Sequence, residues 1–332
     1  MTDPHIDFRH IARRDVPVVD ISALPMRSEQ ALQSIAAEWA EHMESNGCLC
    51  LVNHDFPLDV IHQMELQSQK FHSLPLSEKL KIEINLDQRG FVSANRDRRQ
   101  DDLTPGNTAS AVLVLATEYD EQAPHRVSGK QFYGSNQWPV HLAGFKETAL
   151  TYMGKMTGFG KSLLPIWSRA LHLEGNFFNE HFDNNYTYFR MAHYPAQKDA
   201  TILASNSHVD AGFMTISPKA NVEGLQIKGA NGEWFWPEMP EDSLLVHTGA
   251  FLEKWSNGQF KAMRHRVVAH ENTARYANPC FINPGFEAKI TVLTGDADPE
   301  KLAAGGTTFW DYFSTYMYQT YSHYNKKPES IG

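Results

Sequence analysis

The second half of this chain limits its fold more than any other part. Six short strand-like segments, 186–190, 215–217, 224–228, 244–247, 265–269 and 275–282, are separated by turns carrying Gly, Asn, Asp or Pro. Strands this short and this regularly punctuated predict a mainly β barrel or sandwich. The first half reads differently. Residues 16–21 form a short strand, and 28–45 carry Leu32, Ile35, Ala36, Trp39 and Met43 at helical spacing, closed by Gly47 as a glycine C-cap. Residues 48–52 predict a second strand and 53–57 a turn, followed by a helix running to Leu74 and Pro75. Between 88 and 140 the sequence is irregular apart from a strand-like 111–116, and a loop region of that length reads as a lid or binding segment. One long helix is expected over 140–173, interrupted around Gly158 and Gly160, and an aromatic-rich helix over 309–324, packed on the outside. The chain thus divides into an N-terminal helix and strand region, 1–139, and a strand-rich core with a C-terminal helix, 140–332, together one unit.

Charge and cysteine usage exclude several classes of function. The formal charge is −9, and the one basic cluster, Arg96, Arg98 and Arg99, is broken by Asp97, Asp101 and Asp102, so no nucleic-acid partner is expected. Residues 1–5 lack the charged start and apolar stretch of a secretory signal, and no apolar run approaches bilayer length, so no membrane partner is expected either. The three cysteines, Cys48, Cys50 and Cys280, are an odd set in a large chain and argue against a disulfide framework. A cytoplasmic protein is expected.

The residues that carry chemistry are His208-Val209-Asp210, a distant His265, and Arg275 ten positions later. On a strand, side chains two apart project from one face. Two imidazoles and one carboxylate can occupy one face of an octahedral metal and leave the opposite face open, the arrangement of non-haem Fe(II) oxygenases. Nitrogen and oxygen donors suit Fe(II), and the absence of a nearby thiolate disfavours structural zinc. In a chain with 16 histidines an isolated His-x-Asp pair is equally well read as a hydrogen-bonded surface feature. Arg275 offers a planar donor fork for a carboxylate, against the alternative of a surface ion pair.

The motif order completes the pattern. His208-Val209-Asp210, Gly224-Leu225-Gln226, Gly232-Glu233-Trp234, Asn257-Gly258, His265-Arg266-Val267 and Arg275-Tyr276 together resemble the isopenicillin N synthase-like branch of the Fe(II)/2-oxoglutarate dioxygenases. The N-terminal third is similar to the same branch in Val16-Pro17-Val18-Val19-Asp20, Leu51-Val52-Asn53-His54 and Gly90-Phe91. The resemblance implies a double-stranded β-helix, or jelly roll, with flanking helices. It implies iron held by His208, Asp210 and His265, and 2-oxoglutarate held through its distal carboxylate by Arg275 and Tyr194. It also implies O2-driven oxidation of a small-molecule C–H bond (hydroxylation, desaturation or cyclisation), with succinate and CO2 formed.

One position departs from that family. The usual Arg-x-Ser is here Arg275-Tyr276-Ala277. Losing a hydroxyl that bonds a carboxylate removes roughly 1.5–3 kcal/mol unless another donor replaces it. The departure keeps open an iron oxidase that does not use 2-oxoglutarate; a non-catalytic jelly-roll binding protein is the reading from outside enzymology. For the substrate, Arg89 and Arg96 are candidate partners of a carboxylate, each competing with a solvated loop arginine, and Phe281 and Phe286 are candidate pocket walls or core. Trp234 and Trp236 read as structural, and His193, His247 and His270 as satisfied polar residues, not further ligands.

Overall fold

The computed structural model describes residues 8–24, 28–94, 110–198, 203–289, 307–321 and 324. Arg96, with Arg98 and Arg99, lies outside the described residues. In chain order the strands are β1 (Arg13–Asp15), β2 (Val18–Asp20), β3 (Cys48–Val52), β4 (Gly90–Val92), β5 (Ala111–Ala116), β6 (Tyr186–Tyr194), β7 (Leu203–His208), β8 (Met214–Pro218), β9 (Leu225–Lys228), β10 (Trp234–Glu238), β11 (Leu244–Thr248), β12 (His265–Val268), β13 (Arg275–Ala277) and β14 (Cys280–Asn283). The helices are α1 (Glu29–Ser45), α2 (Leu58–Ser73), α3 (Leu76–Leu80), α4 (Pro124–Val127), α5 (Phe145–Ser162), α6 (Leu164–Ala170), α7 (Ala250–Trp255) and α8 (Phe309–Thr320).

Two sheets make a jelly roll with helices around it. The smaller runs β1-β10-β9-β12-β7; the larger runs β2-β3-β11-β8-β14-β6-β5-β4, with β13 also on β6. β1 pairs in parallel with β10 and β2 in parallel with β3, so residues 13–20 tie the chain's start to both sheets. Strand β7 escapes the sequence reading because Leu203–His208 reads LASNSH, rich in turn formers. Its pairing to β12 is correspondingly irregular, with register shifts between His265 and Val268.

Helix α1 forms where its spacing predicts. Ser28 Oγ accepts the Ala31 amide at 3.2 Å, and Leu32, Ile35, Ala36, Trp39 and Met43 make the buried face. Gly47 closes it at φ 70°, and a Cβ there would collide with the Lys261 carbonyl. The long helix expected over 140–173 is two helices, and the break falls at Leu163 rather than at Gly158 or Gly160. Pro165 has no amide to bond back to the Lys161 carbonyl, so the ladder of α5 cannot run on into α6. Gly160 has a different purpose: a Cβ there would collide with Ile282 Cδ1, so its absence lets α5 close on β14.

The C-terminal helix α8 also differs from expectation. A capping box between Thr308 and Asp311 starts it, and Phe309, Phe313 and Met317 are buried in the main core against Tyr186, Tyr188 and Phe286. It completes the core instead of lying outside it. Cys48, Cys50 and Cys280 are free and buried. Among the described residues no helix is long and apolar enough to cross a membrane.

Candidate metal centre

The space between the two sheets is the site. From the smaller sheet β7, β9 and β12 contribute His208, Leu225 and His265; from the larger, β6, β8, β11, β13 and β14 contribute inward-facing side chains to the same cavity. His208 and His265 are direct cross-strand partners in the β7–β12 pairing, with ring centroids 4.2 Å apart. Asp210 lies just beyond the end of β7, not on it, and its carbonyl accepts the Ala250 amide at 2.7 Å. That bend brings its carboxylate under both rings. One ligand atom from each of His208, Asp210 and His265 lies within 4.8 Å of the others, a group able to hold a metal ion.

The hydrogen bonds around the three residues fix which atoms face inward. His208 Nδ1 lies 2.7 Å from the Asn206 carbonyl and His265 Nδ1 3.3 Å from the Met263 carbonyl. Donation from Nδ1 to a carbonyl two residues back, assigned from these contacts, leaves each Nε2 lone pair pointing into the site. Both Nε2 atoms face Asp210 Oδ1, at 3.8 and 3.9 Å. The other carboxylate oxygen is engaged elsewhere. Thr215 Oγ1 donates to Asp210 Oδ2 at 2.7 Å, and His247 Nε2 lies 3.4 Å from the same atom. Burial raises the Asp210 pKa, but the imidazoles of His265, His247 and His208 and the Thr215 hydroxyl outweigh it and bring the carboxyl to about 2. Burial takes His247 down to about 4 despite the attraction of Asp210. His247 sits beside the carboxylate rather than in the ligand group, and against the expectation of a satisfied polar residue its Nδ1 is buried without a hydrogen-bond partner among the described residues.

Arg275 and Tyr194 are direct partners in the β13–β6 pairing, and the guanidinium carbon lies 5.3 Å from the tyrosine ring centroid. Both line the cavity. Arg275 is buried, its Nε without a hydrogen-bond partner among the described residues, and burial lowers its pKa against the pull of Tyr194. Gly224 makes room for it: a Cβ there would lie 2.6 Å from Arg275 Cδ. A buried cation with an unmatched donor, on a residue that lines a cavity, fits an anionic ligand. Ala277 lines the same wall and brings no hydroxyl.

Other motif residues hold the scaffold. Arg266 points away from the site, its guanidinium 4.1 Å from the Trp234 ring centroid and 4.7 Å from that of Phe8, and its Nε donates to Gln226 Oε1 at 2.7 Å. Trp234 and Gln226 are therefore structural, and so is Trp236, whose Nε1 donates to the Phe8 carbonyl. Asn257 and Gly258 take the positive φ of a tight turn before β12.

The substrate candidates separate. Phe281 lines the cavity and stacks on Tyr188, with centroids 4.3 Å apart and planes at 2°. Phe286 is instead part of the aromatic core with Phe309 and Tyr186. Arg89 is a correction: it is fully buried and donates to the carbonyls of Asp87, Thr117 and Phe132 and to Tyr186 Oη. It neither lines the cavity nor is solvated; its donors knit the 87–132 region to β6. Among the described residues, the cationic side chain that does line the cavity besides Arg275 is Arg190 on β6, whose Nη1 donates to Tyr321 Oη at 3.2 Å. Sequence reading missed Arg190, and its alternation with Tyr188, Ala192 and Tyr194 along β6 was the available signal. Thr215 was also missed, although it lies five residues past Asp210 on a recognised strand.

Comparison with known proteins gives a consistent result. Residues 16–141 match a family model described as the N-terminal part of the non-haem dioxygenase in morphine synthesis, and 178–284 match the 2OG-Fe(II) oxygenase superfamily model. The 2-oxoglutarate-Fe(II) type oxidoreductase hxnY of Emericella nidulans is 26% identical over 285 residues, 82% of this chain and 81% of that protein. Kihadalactone A synthase LFS of Citrus sinensis is 28% identical over 303 residues, 86% and 88% of the two chains. The crystal structure of a full-length Neurospora crassa protein in complex with alpha-KG superposes with a TM-score of 0.76 at 22% identity, over 90% of this chain and 95% of that one, a likeness of fold.

Proposed function

The chain belongs to the 2OG-Fe(II) oxygenase superfamily, and on that premise we propose that His208, Asp210 and His265 hold its iron and that Arg275 and Tyr194 hold the distal carboxylate of 2-oxoglutarate. The protein is an Fe(II)- and 2-oxoglutarate-dependent oxygenase. The observation that carries the residue assignment is the convergence of two inward Nε2 atoms on Asp210 Oδ1 in the cavity that Arg275 also enters. With both groups bound, the centre couples reduction of O2 and loss of CO2 from 2-oxoglutarate to oxidation of a substrate C–H bond, leaving succinate. The chain's own residues set the stage for that chemistry. The two imidazoles, each with Nδ1 engaged by a backbone carbonyl, turn Nε2 inward as the metal-facing atom. Asp210 stays ionised, and the cation of Arg275 orients an anion along one cavity wall. Apolar Leu225, Leu245 and Val267, with the Tyr188–Phe281 stack, limit water in the rest.

The substrate we infer is a small molecule bearing a carboxylate. Arg190 supports this reading by bringing a positive charge to the cavity wall beside the aromatic stack. Succinate release screened over amino acids and small carboxylates tests it, with Arg190→Gln expected to raise KM for a carboxylate substrate and to leave 2-oxoglutarate affinity unchanged. The iron-oxidase alternative rests on Ala277 alone, and the ratio of succinate formed to O2 consumed, with and without 2-oxoglutarate, decides between the two. His208→Ala and Asp210→Ala are expected to abolish turnover while circular dichroism stays native. Turnover surviving either change removes that residue from the iron site.

A further inference from the structure

We propose that Ser217 on β8 supplies the co-substrate hydrogen bond that Ala277 cannot make. The proposal rests on Arg275 as the anchor of the 2-oxoglutarate distal carboxylate. Three observations place the hydroxyl there. First, the β14–β8 pairing sets Cys280 opposite Ile216 and Phe281 opposite Thr215. Continued by one residue, that register puts Ser217 beside Pro279. Side chains alternate along a strand, so Pro279, Ala277 and Arg275 share the inward face, and all three line the cavity together with Ser217. Ser217 is therefore one diagonal step from the Ala277 methyl, a separation of roughly 7–8 Å between backbones that a bound carboxylate can bridge.

Second, Ser217 and Arg275 stand on a common wall. Both line the metal-site cavity, and both also line an adjoining cavity bounded by Arg13 on β1 and Trp236 on β10. Both side chains thus reach the same end of the inter-sheet space, the end away from the Thr215 and His247 pair. Third, the Ser217 hydroxyl is poorly used among the described residues. Its contact is to the Pro218 carbonyl at 3.4 Å, well beyond the roughly 2.5–3.0 Å of a formed O–H···O bond. A half-buried hydroxyl on the cavity wall that also carries a cation with an unmatched Nε is a donor waiting for an anionic acceptor. The hydroxyl expected two residues after the arginine on β13 is thus provided across the sheet from β8.

The experiment is calorimetric titration of 2-oxoglutarate into Mn(II)-loaded protein, where no turnover occurs. A hydrogen bond to a charged group contributes enough that Ser217→Ala should raise Kd by about tenfold or more. Ser217→Thr keeps the hydroxyl and should bind within about threefold of the native protein. Ala277→Ser alone should change Kd little, and in the Ser217→Ala background it should restore binding to within about threefold. Mn(II) affinity and melting temperature of each variant, unchanged, show that the site and fold are intact. A Kd for Ser217→Ala within about twofold of native, or a double variant that stays weak, overturns the proposal. Arg275→Leu separates the two levels of the argument: if it leaves 2-oxoglutarate affinity intact, the placing of the co-substrate itself is wrong, whereas loss with Arg275→Leu and not with Ser217→Ala rejects Ser217 alone.

Discussion

Asp210 is the residue on which the centre turns, because its two oxygens have separate tasks. Oδ1 faces both imidazole Nε2 atoms, while Oδ2 receives the Thr215 hydroxyl and lies near His247. A carboxylate free to rotate could chelate through both oxygens and occupy a second metal position; one whose Oδ2 is held elsewhere presents a single donor and leaves that position open. Thr215→Val keeps the shape and the strand propensity of the position but removes the hydroxyl. It is expected to weaken metal binding by about 10–100-fold, the usual effect of removing a group that orients a ligand. Anaerobic Fe(II) titration of the apoprotein reads this directly, and an unchanged affinity would mean that Asp210 is oriented without Thr215. Much of this site was legible in the sequence: the spacing of His208, Asp210, His265 and Arg275 named the residues that converge. The roles of Thr215 and His247 were not legible, because both depend on which strands lie side by side, and only the β11–β8 register, pairing His247 with Thr215, puts them at the same carboxylate.

At the scale of elements, helix α5 shows what a glycine does in each surrounding. Gly154, Gly158 and Gly160 all sit in one helix. A Cβ at Gly154 or Gly158 would meet nothing within 4 Å, whereas at Gly160 it would press on Ile282, Met214 and Ile216. Gly154→Ala and Gly158→Ala should therefore each stabilise the protein by about 0.5–1 kcal/mol through helix propensity alone. Gly160→Ala gains the same propensity but overpacks the α5–β14 contact, with a cost of about 1–3 kcal/mol, so the net change is destabilising. Urea midpoints for the three variants give the comparison, and a stabilising Gly160→Ala would show that Ile282 yields without strain. The sequence alone suggested that Gly158 and Gly160 break the helix. It could not distinguish an exposed glycine from one that admits a neighbouring strand, since both look identical without the sheet in place. The β elements were more readable where the run was continuously apolar, as in Ala111–Ala116, than in Leu203–His208, whose serines and asparagine mask a strand held by its partner.

Across the whole molecule the helical layer is joined to the catalytic sheet through a buried, uncharged histidine. His72 on α2 donates from Nε2 to the Met191 carbonyl of β6 at 3.0 Å and stacks on His193, which in turn stacks on Tyr276 of β13. Its Nδ1 is buried without a partner among the described residues. Burial foremost, then the charges of His193 and Lys79, lowers the His72 pKa from 6.5 to about 3, and burial lowers that of His193 as well. The neutral form is thus the folded form. Below pH 6.5 the unfolded chain takes up a proton that the folded chain refuses, so the stabilising contribution of this contact is complete above pH 6.5 and is lost as pH falls toward 3. The slope for one such proton approaches about 1.4 kcal/mol per pH unit. Asp210 adds a loss of the same sign in the metal-free protein, but in a lower window, from its ordinary 3.8 down to about 2. The two are therefore separable by pH. His72→Gln keeps an amide donor for Met191 and removes the titrating ring, so urea midpoints of the apoprotein measured from pH 7 to 4.5 should fall less steeply for the variant than for the native chain. Equal slopes would mean that His72 is protonated in the fold at no cost, and that the junction between α2 and the β6–β13 strands is wetter than its burial implies.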